Sequence, residues 1–241
     1  MKPIAIIAIL AVPLLGQTGT EQFAYTATWR LFDAGRAVIR VTGHETTVDV
    51  ATQGIVGKLH PVKDRYQSTL RDGYCAQSSL MKAEEGDEQT ETAVSFDQGI
   101  ARRIHTDFKQ NRKETSEIAI PACTHDLVGG LMKMRELRLR PGAEARVPLS
   151  DGRKMVQTRV LADRLETITT NAGTFKAIRY EVFLYNGVFF RKKGHLFVWI
   201  TDDERRLPVQ MKVELAFYIG DIVVSLDALP AATNEQAILA R

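Results

Sequence analysis

The sequence predicts a mainly antiparallel all-β protein with one packed helix near residues 125–139. Three observations predict it. Apolar and polar residues alternate over short runs through most of the chain, the period of a half-buried strand. Turn-forming pairs, Asp151-Gly152 and Asn186-Gly187 above all, fall between those runs. One segment only, residues 125–142, switches to helical spacing.

Taken in order, Phe23, Tyr25, Ala27, Trp29 and Leu31 alternate with polar or small residues. Asp33-Ala34-Gly35 reads as a turn, after which Ala37, Ile39 and Val41 resume the period of two. Gly43-His44 turns again into Thr46 to Thr52, and Gly54-Ile55-Val56-Gly57 reads as a flexible apolar corner. Thr90, Thr92, Val94 and Phe96 alternate before Asp97-Gln98-Gly99. In the helical segment Leu127, Val128, Leu131, Met134 and Leu137 or Arg138 follow helical spacing, Thr124 or Asp126 can cap its start, and Pro141-Gly142 stops it. Gly129-Gly130 would weaken an isolated helix, so packing must support it, and the pair permits close backbone approach. Asn171-Ala172-Gly173 is a further turn. Phe197 to Leu215 reads as two strands joined by an acidic turn. In the second, Leu207, Val209, Met211, Val213 and Leu215 fall on one side, over about 30 Å at strand rise.

The first residues carry Lys2 and then an apolar run, Ile4 to Leu15. A membrane-spanning helix needs about 20 apolar residues, so this run suits the core of a cleaved signal peptide better than an anchor. The expected organisation is a signal peptide over residues 1–19, one β-rich domain over 20–228 and a loose tail over 229–241, with the protein in the periplasm. The mature chain is expected to have no transmembrane span. Two cysteines, Cys75 and Cys123, in an exported chain suggest a disulfide, the alternatives being buried free thiols or one reactive thiol. A net charge of +3 is too weak an excess for a dedicated nucleic-acid surface.

Signatures of known chemistry are missing: no G-x-S-x-G elbow, phosphate-binding loop, G-x-G-x-x-G or H-E-x-x-H occurs. Cys123-Thr124-His125-Asp126 groups a thiol, an imidazole and a carboxylate, but a structural disulfide is the better reading. Asp202-Asp203 suits a turn better than acid–base work or calcium, because adjacent strand side chains point to opposite faces. The five histidines are scattered at no ligand spacing. Neither a catalytic residue, a metal nor a cofactor is expected.

Several phrases, taken together and in order, resemble a bacterial exported-protein family that carries the domain of unknown function DUF3108. They are TWRLFDAGRAVIRV, KDRYQSTL, SFDQG, CTHDLVGGLMKMRELRLRPG, DGRKM, ETITTNAGTFKAIRYEV and VWITDDERRLPVQMKVEL. The resemblance runs from about Phe23 to Leu226, and its most specific piece is Trp199-Ile200-Thr201-Asp202-Asp203 with Arg206-Leu207-Pro208-Val209. It implies a curved antiparallel sheet or open half-barrel, similar to periplasmic lipid and lipoprotein carriers, and brings no activity with it.

On that frame the helix plugs the concave face of the sheet, and any gap is a site for an apolar or amphipathic ligand, a lipid or lipoprotein anchor. The expected apolar wall is Trp29, Leu131, Met134, Phe197, Trp199, Val209 and Met211, with Phe175, Phe183 and Phe217 adding aromatic area. The expected head-group rim is Arg191, Lys192 and Lys193. The alternative is an assembly factor of the cell envelope that contacts a protein partner and holds no ligand; an enzyme ranks third.

Overall fold

The computed structural model describes residues 20–30, 32–184, 194–214 and 220–229. The first half of the chain forms β1 (Thr20–Trp29), β2 (Phe32–Thr42), β3 (Glu45–Thr52), a short helix α1 (Gly54–Leu59), then β4 (Val62–Leu70), β5 (Ala76–Glu85), β6 (Glu88–Asp97), β7 (Ile100–Asp107) and β8 (Arg112–Ala119). The helix α2 (Leu127–Glu136) follows. The second half forms β9 (Glu144–Ser150), β10 (Met155–Thr170), β11 (Gly173–Phe183), β12 (His195–Thr201), β13 (Pro208–Glu214) and β14 (Asp221–Leu226).

Among the described residues, 14 strands join one antiparallel sheet in the order β8-β7-β6-β5-β4-β3-β2-β1-β14-β13-β12-β11-β10-β9. Each half is a meander, and the two halves meet where β1 pairs with β14, Tyr25 opposite Leu226 and Trp29 opposite Ile222. The sheet's edges are therefore β8 and β9, which are neighbours in sequence. The sheet curves until these edges approach, and the Ser116 hydroxyl on β8 donates to the Gly152 carbonyl in the β9–β10 turn at 3.1 Å. The gap between edges is filled by the segment that links them. The Ala76 N–H donates to the Thr124 carbonyl at 2.8 Å, and the His125 N–H donates to the Pro148 carbonyl at 2.9 Å. Backbone groups at the start of β5 and on the edge strand β9 that would otherwise lack partners are satisfied in this way.

The α2 helix then runs along the concave side. A Cβ at Gly130 would lie 2.5 Å from a Leu149 methyl, and one at Gly129 2.5 Å from the Tyr74 carbonyl oxygen, so only glycine allows this approach. Two poor helix formers are thus kept for packing. Among the described residues, no helix is long and apolar enough to cross a membrane.

Local expectations are corrected at two places. Asp33-Ala34-Gly35 is no turn: it lies within β2, where the pairing with β1 shifts register beside Ala27 and Thr28. A bulge needs the same small and polar residues as a turn, which is why the two look alike in sequence. Residues 54–57 begin α1 instead of forming a loose corner. Residues 1–19, read as a signal peptide, Asn186-Gly187, read as a turn, Leu31, Leu215 and residues 230–241, read as a tail, lie outside the described residues.

Candidate functional site

An apolar cavity of about 690 Å³ lies between α2 and the inner face of the sheet. Strand register builds its wall. Ala27 and Trp29 stand opposite Val224 and Ile222. Met211 and Val213 continue the row from β14, and Val198 and Leu196 continue it from β13. Residues directly across from one another share a face, so one apolar surface crosses four strands. Val182, Val160 and Val147 carry it on to β9, while Leu127, Leu131 and Met134 of α2 form the roof. Val48 of β3 faces the same space. Strands from both halves of the sheet, from β3 round to β9, thus share one interior. The volume falls within the range of about 300–1,000 Å³ usual for ligand sites, in proteins whose cores otherwise leave few voids larger than a water.

Polar groups around α2 serve to anchor it. At its N-terminus the buried Asp126 accepts from the Gly129 N–H at 2.7 Å and also from the Ser68 hydroxyl. Burial pushes this carboxyl above the usual range, against the pull of those donors. His125 meets the Tyr74 carbonyl through Nδ1 at 2.8 Å, and burial lowers its pKa, which favours the neutral ring. Cys75 and Cys123 are joined by a disulfide just before the helix, with Cα atoms 4.9 Å apart. At the other end Arg206, only 6% exposed, donates to the carbonyls of Arg135 at 3.1 Å and Leu137 at 2.8 Å and to the Tyr180 hydroxyl at 2.8 Å. A cation is favourable at a helix C-terminus, where carbonyls lack partners. Arg135 holds Glu21 through two bonds, of 2.7 and 2.9 Å. The Asp202-Asp203 pair belongs to a turn, as read: the Thr201 hydroxyl donates to Asp203 at 2.6 Å. Among the described residues, no group of three or more His, Cys, Asp or Glu is placed to hold a metal.

Of the wall residues expected from sequence, Trp29, Leu131, Met134 and Met211 line the cavity. Phe197 and Trp199 do not. They alternate with Leu196 and Val198 along β12 and so occupy its opposite face. There Arg179 lies over the Phe197 ring at 4.8 Å and Trp199 donates to Glu166 at 2.6 Å. The cause is the β10–β11 hairpin, which shifts register between Ala162 and Arg164 and carries Ile168, Ala172 and Phe175 against the cluster that contains Phe197 and Trp199. A strand buried on both faces reads as a continuous apolar run, Leu196 to Ile200, and periodicity cannot choose between its faces. Phe183, next to the lining residue Val182, is likewise turned away, under Arg159 at 3.8 Å. Val209 is fully buried beside the register shift between β12 and β13 but does not line the cavity. Arg191, Lys192, Lys193 and Phe217 lie outside the described residues.

Sequence reasoning missed Thr158. It lines the cavity, and its hydroxyl is buried without a hydrogen-bond partner. A threonine within a strand pattern carries no signal that it will face an apolar interior. Arg206 was missed as an anchor, although it sits in the phrase most specific to the resemblance. Its role depends on a helix seventy residues earlier in the chain.

A family model covers this architecture and one solved β-barrel-like structure shares it. The family described as a protein of unknown function, DUF3108, matches residues 24–227. A solved structure of a β-barrel-like protein with the domain of unknown function DUF1849, from Brucella abortus, superposes with a TM-score of 0.58 at 9% identity, over 90% of this chain and 100% of that one. A DUF1089 family protein from Pseudomonas aeruginosa reaches a TM-score of 0.34 at 10% identity, over 86% of this chain and 95% of the other. No curated protein matches the sequence significantly.

Proposed function

The chain belongs to the DUF3108 family of proteins of unknown function, so no activity comes with the fold, and we propose that it binds an apolar or amphipathic molecule in the cavity beneath α2. The observation that carries this reading is the cavity itself: about 690 Å³, walled by aliphatic side chains from both halves of the sheet. Burial of apolar ligand surface contributes about 25 cal/mol per Å², so such a space needs no catalytic group to retain an acyl chain or a compound of similar character. A lipid or a lipoprotein anchor is the ligand class that fits best. We place the protein in the periplasm, a reading supported by the apolar segment Ile4–Leu15 and by the disulfide, which persists in oxidising compartments.

The test is direct. Purified protein is extracted with organic solvent and the extract examined by mass spectrometry, while delipidated protein is titrated with the environment-sensitive fluorophore N-phenyl-1-naphthylamine. Saturable fluorescence enhancement that palmitate displaces is expected. No enhancement, together with an empty extract, sinks the reading in favour of an assembly factor that works without a ligand.

A further inference from the structure

The rim of the cavity carries a feature that ligand retention does not require. Among the described residues nine large apolar side chains are exposed, and four of them belong to elements at this rim: Val50 at 37% lines the cavity, Ile55 at 66% and Leu59 at 70% stand on α1, and Phe32 at 60% pairs with the lining residue Trp29. Ile55 and Leu59 are one helical turn apart on α1 and so share a face. Val56, on another side of the same helix, lines the cavity together with His60 and Val50. The helix buries none of its residues completely. Single exposed apolar side chains are ordinary, but a cluster at the mouth of an apolar cavity marks a contact surface.

We infer that α1 and Phe32 form a docking tip for a lipid bilayer carrying anionic head groups, through which ligand passes between membrane and cavity. This rests on the proposal that the cavity holds an apolar ligand. Three observations favour a bilayer over a protein. First, the exposed apolar residues adjoin the cavity: Val56 of α1 and Val50 line it, and Ile55 and Leu59 flank Val56 on the same short helix, so a chain leaving the membrane at α1 has apolar wall beside it. Second, the tip is small. One six-residue helix and a neighbouring Phe cannot supply the roughly 800 Å² per partner of a stable protein interface, whereas a few apolar side chains are enough to seat a protein in the interfacial layer. Third, Lys58 lies between Ile55 and Leu59 in sequence, is exposed, and makes no ion pair with a described residue. It is free to meet an anionic head group, an attraction that salt screens.

The experiment uses the full chain and measures partition to vesicles of equal parts phosphatidylcholine and phosphatidylglycerol by co-flotation, with phosphatidylcholine alone as the comparison. The double variant Ile55→Ser, Leu59→Ser changes exposed positions and is expected to keep the fold, checked by its thermal midpoint. Leu165→Ser, at an exposed site on β10, serves as the control. Wild type and the control should float with the anionic vesicles, and the double variant should lose at least about tenfold in partition, the scale set by withdrawing one such side chain from an apolar medium. Lys58→Gln should weaken partition to the anionic vesicles only. In solution the double variant should still take up N-phenyl-1-naphthylamine as wild type does. Wild type that takes up the fluorophore but never floats overturns the docking inference and leaves the cavity reading standing. A variant that floats as well as wild type overturns it too. A wild-type dimer that the double variant dissolves assigns the patch to a second copy instead.

Discussion

Arg135 and Arg206 exchange hydrogen bonds through each other's backbone. Arg135 Nε donates to the Arg206 carbonyl at 3.0 Å, and Arg206 Nε donates to the Arg135 carbonyl at 3.1 Å. One residue lies in the last turn of α2 and the other in the β12–β13 connection, so the pair locks the roof of the cavity to its floor. Like charges tolerate this closeness because each guanidinium faces oxygens: Glu21 accepts from Arg135, and the Leu137 and Thr201 carbonyls accept from Arg206.

Arg206→Ala should therefore destabilise the protein by about 3 kcal/mol or more, since several buried acceptors lose their donor at once. Arg206→Lys should recover only part of this, because an ammonium cannot reproduce the planar fork of donors. Urea midpoints of the two variants measure the difference, and an Arg206→Ala protein as stable as wild type contradicts the locking role.

The capping carboxylate at the other end of α2 gives a pH-dependent prediction. Burial raises the Asp126 pKa in the folded protein above its unfolded value of about 3.9, so folding favours the protonated form. This stability is fully present below the unfolded pKa and is lost as pH rises through the folded pKa. Asn at this position can still accept from the Gly129 N–H without a buried charge. Asp126→Asn should thus be at least as stable as wild type at neutral pH, and its advantage should shrink as pH falls toward 4. Asp126→Ala, which loses the cap, should cost about 1–2 kcal/mol. Thermal midpoints across pH for the three proteins check the sign.

Two aromatic or thioether positions on opposite faces separate binding from folding. Met211→Glu puts a carboxylate into the apolar cavity and should abolish uptake of N-phenyl-1-naphthylamine, because charge burial without a partner is strongly unfavourable. Trp199→Phe removes the bond to Glu166 and should cost about 1–2 kcal/mol of stability while uptake stays unchanged. Equal loss of uptake in both would contradict the assignment of faces.

Thr158 yields the opposite kind of change. Its buried hydroxyl has no partner, so Thr158→Val, which keeps the shape and removes the polar atom, should raise stability by about 1 kcal/mol. A lower thermal midpoint would show that the hydroxyl has a partner in solution.

The strand content, the helix near residue 127 with a cap at Thr124 or Asp126, and the turns at Asp151-Gly152 and Asn171-Ala172-Gly173 were all legible in the chain; that Cys75 and Cys123, 48 residues apart, meet was not. Each legible feature rests on a local rule: the period of two, the period of 3.6, a capping side chain, or residues suited to positive φ. The wall was legible only in part. Met211 and Trp29 are half-buried residues with a polar neighbour on either side or nearly so, and their alternation names the inner face. Phe197 and Trp199 stand in a run that is apolar at every position, and the β10–β11 hairpin, folded back beyond Asp163, decides which side each serves. The pairing of β1 with β14, the closing of the trough by residues 124–126, and the docking of Arg206 on α2 join positions far apart in sequence. Local periodicity carries no record of such partners. Only the tertiary structure, by bringing those backbones and side chains within bonding distance, decided that the helix would be held off the sheet with space beneath it.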